Sequence, residues 1–411
     1  MNPTVIFLLA TVMLDAMGIG LIMPIMPALI REIEGGTLAD AAIWGGVLST
    51  VFAVMQFLFS PLLGNLSDRF GRRPVIMVSL SVMAATYLVM AVAASIWLLL
   101  IGRIVSGITS ATHSTANAYM ADISKPGEKA ANFGLLGAGF GAGFVLGPLV
   151  GGMLGELGTR APFYAAAILI AANATLGYFV MRETVTDESR RPFNAKRANP
   201  LGAFAQMSKL PGINRLMLVY FIYSVALYVY PAIWSYFTEA RFGWTPQVIG
   251  LSLGLFGISM AVVQGVLIRV VIKRFGERKT VIFGQLFDGV AFSLMSVVTS
   301  GFVALVLTPI AALGAVVSPA LTGIMSQKVS DDAQGELQGM LTSVHALAMI
   351  VSPLMMAGAF AWFTQEGSVL YFPGAPFFLA MVLVLIGVAL FVGARDTNGM
   401  PQGQANSGGE E

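Results

Sequence analysis

The chain has 411 residues, of which 56% are hydrophobic and only 11% charged, against about 25% charged in a soluble globular protein. A mean hydropathy of +0.80 puts apolar side chains on the surface as well as in the core, which only a hydrocarbon solvent tolerates. The 23 basic and 21 acidic residues nearly cancel, which argues against the concentrated basic face that nucleic acid requires, and the absence of cysteine excludes disulfides and thiol chemistry.

In chain order, the first apolar run, Val5 to Met26, contains Asp15 and lacks a basic leader and a small-residue cleavage site, so it reads as a retained span. A crossing helix needs roughly 20 apolar residues, and charge clusters and Gly/Pro turns divide the chain into twelve such stretches. They lie near 4–30, 43–63, 74–94, 97–121, 131–154, 161–181, 216–237, 247–271, 280–299, 301–325, 337–362 and 376–394. These runs are continuous and too long for the alternating strands of a membrane barrel. The expected fold is therefore an all-α membrane protein of twelve transmembrane helices in two pseudo-symmetric six-helix bundles. Its parts are an N-terminal bundle at 1–181, a cytoplasmic linker at 182–215, a C-terminal bundle at 216–396 and a disordered polar tail at 397–411.

Lysine and arginine near span ends mark the cytoplasmic side. The connections at 64–74, 122–130, 182–215, 269–279 and 326–336, with Arg395, hold 19 of the 23 basic residues, and the other side holds only Arg31, Arg160 and Arg241. Both termini are thus expected in the cytoplasm.

The two halves repeat. Arg69-Phe70-Gly71-Arg72-Arg73 returns as Arg274-Phe275-Gly276-Glu277-Arg278, Gly147-Pro148-Leu149 as Ser352-Pro353-Leu354, and Ala161-Pro162-Phe163 as Ala375-Pro376-Phe377. Duplicated halves supply two rigid bodies that can rock about a midplane site.

Three charges fall inside spans. Asp15 lies about eleven residues into the first, roughly 16 Å deep at 1.5 Å per residue. Asp288 and Arg103 sit within the ninth and fourth. Each costs at least ~2.5 kcal/mol there unless it meets water or a partner, so all three are candidates for proton coupling, with a structural Asp–Arg pair as the alternative. Gly107, Ser110, Ser114 and Asn117 continue a small polar stripe from Arg103, which suits either a cavity or close helix packing. In the seventh span, Tyr223, Tyr230, Trp234 and Phe237 form an aromatic stripe. Tyr223 and Tyr230 suit stacking on a flat ligand, whereas Tyr236 and Phe237 also fit an interfacial belt. His113 and His345 read best as hydrogen-bonded helix contacts.

Gly64-Asn65-Leu66-Ser67-Asp68-Arg69-Phe70-Gly71-Arg72-Arg73-Pro74 resembles the signature loop of the major facilitator superfamily, Arg103 to Gly107 its helix-four arginine motif, and Gly143 to Gly152 its helix-five antiporter motif. Leu14 to Pro24, Ile101 to Ser124, Phe287-Asp288-Gly289 and Gln334 to Gly339 are similar to the tetracycline/proton antiporters of its twelve-helix drug-export group. The resemblance implies that Asp15 and Gln56 line the substrate path, Asp288 couples the proton, and Arg103 is the helix-four arginine. It also implies a conformational latch of Asp68, Arg72, Arg73 and Asp122, with close packing and a bend at Gly143, Gly147, Pro148, Gly151 and Gly152. The chain departs from the group where its helix-three acid falls near Thr86 and its helix-eight histidine near Met260. Fewer negative or metal-binding groups are then left for a cationic metal–drug complex.

The expected function is a proton-coupled exporter of an amphiphilic, planar aromatic drug, tetracycline-like by the resemblance, in the bacterial inner membrane. Asp15, Gln56, Ser114, Asn117, Tyr223 and Tyr230 are the candidate substrate residues. A broad multidrug exporter and a proton-coupled uptake symporter are the alternatives. No phosphate-binding loop and no cluster of nucleophile, base or metal ligands is present in the sequence, so neither an enzyme, nor ATP, nor a bound cofactor is expected. A divalent cation carried by the substrate stays open. Protons, the drug and the bilayer are the expected partners of a chain acting as a monomer.

Overall fold

The structure, a computed structural model, describes residues 3–110, 112–125, 127–187, 213–330 and 333–393, with residues 190, 192, 199, 200 and 202 between them. The tail from 397 and most of the expected linker lie outside these residues.

In hydrocarbon the backbone finds hydrogen-bond partners only within its own segment, so long apolar runs fold as helices. In the first half, α1 runs Pro3–Ile22 and resumes as Met26–Glu34, α2 is Leu38–Phe70, and α3 is Arg72–Ala91. Helix α4 is Ile96–Thr109 followed by Thr112–Ile123, α5 is Lys129–Gly155, and α6 is Ala161–Val180. In the second half, α7 is Asn214–Leu227 followed by Val229–Phe242. Helix α8 starts as Pro246–Val262, passes through the π-helical turn Val263–Leu267, and ends at the non-helical Gly276 inside Ile268–Val297; α9 is the remainder of that segment. Helix α10 is Gly301–Ala311, the 3-10 turn Ala312–Val316 and Val317–Ser326, α11 is Gln334–Thr364, and α12 is Ala375–Val392. Among the described residues, 11 stretches are long and apolar enough to cross a membrane. The 52-residue stretch Pro246–Val297 is divided at Gly276 and supplies two passages, which restores the twelve expected.

The internal repeat holds at the level of backbone angles. Gly71 (φ 109°, ψ 153°) and Gly276 (φ 76°, ψ 162°) separate consecutive helices at matching points, in a region that favours glycine. Pro162 and Pro376 each open the last helix of their half, where a missing N–H costs nothing. Elsewhere local chemistry sets the ends: Thr37 and Asp40 form a reciprocal capping box at the start of α2.

The breaks follow a pattern that hydropathy did not foretell, since all spans read as continuous in the sequence. Helices α1, α4, α7 and α10, the first of each successive group of three, are all interrupted. Proline lacks the N–H that would bond four residues back, and Pro24 and Pro27, Pro231 and Pro309 accompany three of the four breaks. Ser352 of α11 donates to the Val225 carbonyl beside the α7 break at 2.8 Å.

Two seams join the halves. Helix α5 packs on α8, and α2 packs on α11; exchanging the halves maps one seam onto the other. A Cβ on Gly152 of α5 would collide with the Pro246 carbonyl of α8, and one on Gly250 with the Pro148 carbonyl of α5. Thr50 of α2 donates to the Ile350 carbonyl of α11 at 3.0 Å.

Candidate functional site

Between the halves lies a cavity of about 80 Å³, lined among others by Ile19 of α1, Phe52 of α2, Arg103 of α4, Tyr228 and Tyr236 of α7, and Pro353 of α11. Drug-sized ligands occupy about 300–1,000 Å³, so this conformation holds the cavity contracted. The end of the molecule away from the basic loops is shut. There Arg31 at the end of α1 pairs with Glu239 at the end of α7, and the Gln247 N–H donates to Glu156 at 3.3 Å. Ser235 of α7 donates to the Met23 carbonyl at 2.8 Å. That carbonyl is free because Pro27, four residues on, has no N–H to give it; a defect in one half is completed by a hydroxyl of the other.

Arg103 is 8% exposed. Its Nε donates to the Leu48 carbonyl at 3.4 Å, and its guanidinium lies over the Phe52 ring at 4.5 Å. Among the described residues it forms no ion pair, and the hydroxyls of Tyr87, Tyr228 and Tyr236 are the polar groups in its field. The structural Asp–Arg pair considered from sequence is therefore not formed in this conformation. Gly107 allows α4 to touch α2, since a Cβ there would lie 2.6 Å from the Phe52 carbonyl, and Ser110 bonds back to the Gly107 carbonyl at 2.9 Å. That part of the polar stripe serves packing. Ser114 is exposed, Asn117 and Gln56 are half-buried, and none of the three lines the cavity.

Asp15 is buried on α1, one turn before the cavity-lining Ile19. Tyr87 of α3, against whose hydroxyl a Cβ on Gly18 would fall at 2.5 Å, lies in the fields of both Asp15 and Arg103. Thr86 bonds the Val82 carbonyl of its own helix at 2.7 Å, and Met260 packs against the apolar core.

Asp288 is buried in the second half. The Tyr223 hydroxyl lies 2.9 Å from Asp288 Oδ2 and 3.0 Å from the carbonyl of Gly314, in the 3-10 turn of α10. Any Cβ on Gly314 would overlap the Asp288 carboxyl. Gln285, one turn before Asp288, is fully buried and neither atom of its amide has a partner in the structure. Tyr230 sits among Phe256, Phe292, Trp234 and Phe377. Tyr223 and Tyr230 thus lie in the core of the second half rather than on the cavity; the α7 rings on its wall are Tyr228 and Tyr236. His345 faces Tyr228 edge-on at 6.5 Å, and the side chain of His113 lies outside what the structure describes.

At the basic end, Arg72 pairs with Asp68 and, at 3.3 Å, with Asp122. Arg73 donates to the Tyr178 carbonyl at 2.8 Å. Glu183, which no sequence pattern singles out, accepts from the Arg72 and Arg73 N–H groups at 2.9 and 3.2 Å, placing a carboxylate on the positive end of α3. These groups lie on the first half and on the chain directly after it, so the cluster ties α2, α3 and α4 to the residues that follow α6. The glycines of α5 divide similarly. Gly143, Gly147 and Gly151 approach carbonyls of α1, whereas Gly152 faces α8 across the seam, as does the Pro148 carbonyl.

Among the described residues no group of acidic or histidine side chains is arranged to hold a metal ion.

The sequence profile of the Major Facilitator Superfamily matches residues 8–227 and 216–407. The tetracycline resistance protein of class C from Escherichia coli is 42% identical over 88% of this chain and 90% of its own length. The class G protein from Vibrio anguillarum is 39% identical over 90% and 96%. Among solved structures, that of the human organic anion transporter MFSD10 superposes with a TM-score of 0.67 at 26% identity, covering 95% of this chain and 99% of its own.

Proposed function

The chain belongs to the major facilitator superfamily, and we propose that it is a drug efflux transporter that exchanges protons for a tetracycline-like amphiphile across the bacterial cytoplasmic membrane. The observation that carries this reading is the pairing of one buried carboxyl group in each half, Asp15 and Asp288, with a cavity that both halves line and that is shut at one end. By the positive-inside rule the basic loops and both termini face the cytoplasm. The shut end is then external.

The geometry at Asp288 supports proton coupling there. The Tyr223 hydroxyl has one proton and two acceptors in reach. With Asp288 ionised, the hydroxyl donates to the carboxylate. With Asp288 protonated, the acid donates to Tyr223 Oη, and the hydroxyl proton turns to the Gly314 carbonyl. A proton taken up on α9 thereby shifts a hydrogen bond onto the 3-10 turn of α10, the interrupted helix of that group of three. Asp15 offers the corresponding site in the first half. A proton and a cargo molecule that bias opposite access states exchange across the membrane. The proton gradient is the energy source, no bound cofactor takes part, and a single chain carries the whole pathway.

The test is drug accumulation in everted vesicles on imposing an inward-acid gradient. An exporter loads the lumen with tetracycline, whereas an uptake symporter does not. Vesicles that fail to load with tetracycline but load with unrelated amphiphiles would favour the broad multidrug reading.

A further inference from the structure

Given drug export, the reading on which this proposal rests, the cavity wall bears on the charge of the cargo. Among the described residues Arg103 is its one charged side chain, and a guanidinium stays protonated at any physiological pH. More than nine-tenths of the residue is buried. Its partners are a long bond to the Leu48 carbonyl and the face of Phe52; neither terminal nitrogen has a hydrogen-bond acceptor among the described residues. Tyr228 and Tyr236 share the cavity wall with Arg103, and a neutral phenol does not cancel a charge. Of these, Tyr236 Oη is itself buried without a partner. Asp15 forms no ion pair with the guanidinium, and Asp288 is engaged with Tyr223 in the second half. His345, beyond Tyr228, can only add positive charge. The lining therefore carries an uncompensated cation beside an unused hydroxyl donor, in a place where unpaired charge is costly.

From this arrangement we infer that the cargo binds as a metal-free anion: an amphiphile whose deprotonated acidic group, an enolate or carboxylate beside a flat ring system, is received by Arg103 and Tyr236. The planar fork of a guanidinium matches two adjacent oxygens. Phe52, beneath the guanidinium, and Tyr228 supply flat apolar faces for the attached ring. A metal chelate with net positive charge meets repulsion from Arg103 and no carboxylate on the cavity wall.

The test uses the full chain in lipid nanodiscs at mildly alkaline pH, with tetracycline as probe, either in excess chelator or saturated with magnesium. The expected result is binding at least about tenfold tighter without metal, the scale of one charge-assisted hydrogen bond. Arg103→Gln removes that preference from both sides, weakening the metal-free probe and tightening the chelate by relief of repulsion, and Arg103→Lys keeps most of it. Tyr236→Phe, which leaves the arginine in place, weakens the metal-free probe a few-fold and serves if Arg103→Gln does not fold. Equal or tighter binding of the chelate by the wild-type protein overturns the inference, as does an Arg103→Gln variant that weakens both probes alike. Transport in everted vesicles separates the two levels. Uptake of the chelate alone overturns the anion assignment and leaves export standing, whereas uptake of neither form overturns the tetracycline reading as well.

Discussion

At Asp288 a single hydroxyl proton has two destinations, so small chemical changes there have separable outcomes. Asp288→Asn keeps a group that can bond Tyr223 but cannot ionise, and gradient-driven accumulation in everted vesicles falls to background, while drug binding to the purified protein persists. Tyr223→Phe removes the shared proton and leaves the carboxyl. Accumulation drops about tenfold, the scale of a buried hydrogen bond to a charged group, and its pH profile moves. Gly314→Ala places a methyl group where the carboxyl sits and abolishes coupling without touching an ionisable atom. The acids and the arginine were legible in the sequence because charge is scarce inside apolar spans, so Asp15, Arg103 and Asp288 stood out. Their neighbours were not. Tyr228 and Tyr236 are two of 10 tyrosines, and only the fold shows that they share a cavity wall with Arg103. Glu183 was equally hidden, since an acid in a polar connection has no distinguishing pattern until its contact with the start of α3 is seen.

Helices supply the moving parts through their interruptions and through the surfaces they slide on. The α5–α8 seam is built from glycines against carbonyls, a close contact with few directed bonds, and so it can part at modest cost. A side chain at Gly152 wedges it open on the shut side. Gly152→Leu is therefore expected to deplete the state described here, measured as increased reaction of an impermeant thiol reagent with a cysteine placed at Ile19 on the otherwise cysteine-free chain. An unchanged labelling rate would mean that the seam does not govern access. Glu183→Gln weakens the start of α3 by about 0.3–1 kcal/mol, the range for a charge at a helix end, which shows as a lower melting temperature rather than altered coupling. Of the element-scale features, the number of helices followed from hydropathy, and the prolines at three of the interruptions were visible in advance. A proline marks a missing hydrogen bond without saying whether the helix bends, stops or borrows a donor. The α4 break carries no proline, so nothing in its sequence announced it.

For the molecule as a whole, the repeat foretold two similar bodies, and the basic residues gather at one end of them. Which helices form the seams was not legible, because α2, α5, α8 and α11 are no more apolar than the rest and contact across the halves leaves no periodic signal. The shut end depends on few polar contacts, chiefly Arg31 with Glu239 and Ser235 with the Met23 carbonyl. Glu239→Gln is expected to shorten the lifetime of the shut state and raise proton leak through the protein in the absence of drug. Nearby, the Thr159 hydroxyl and then Arg160 hold the Glu32 carboxyl below its ordinary range. A carboxylate with a depressed folded-state pKa stabilises above its ordinary pKa and loses that contribution as acid titrates it. The group is half exposed, so the effect is well under 1 kcal/mol. Melting temperatures of the wild type and Glu32→Gln should differ slightly at neutral pH and converge in acid.

The lone cation on the cavity wall also bears on which force drives the cycle. A cationic cargo leaving in exchange for one proton moves no net charge, and only the pH difference works on it. An anion leaving as a proton enters moves two charges in the favourable direction, each worth ~2.3 kcal/mol per 100 mV. Arg103 would thus make the transporter a consumer of membrane voltage, and a potassium diffusion potential imposed without any pH gradient should suffice to load everted vesicles.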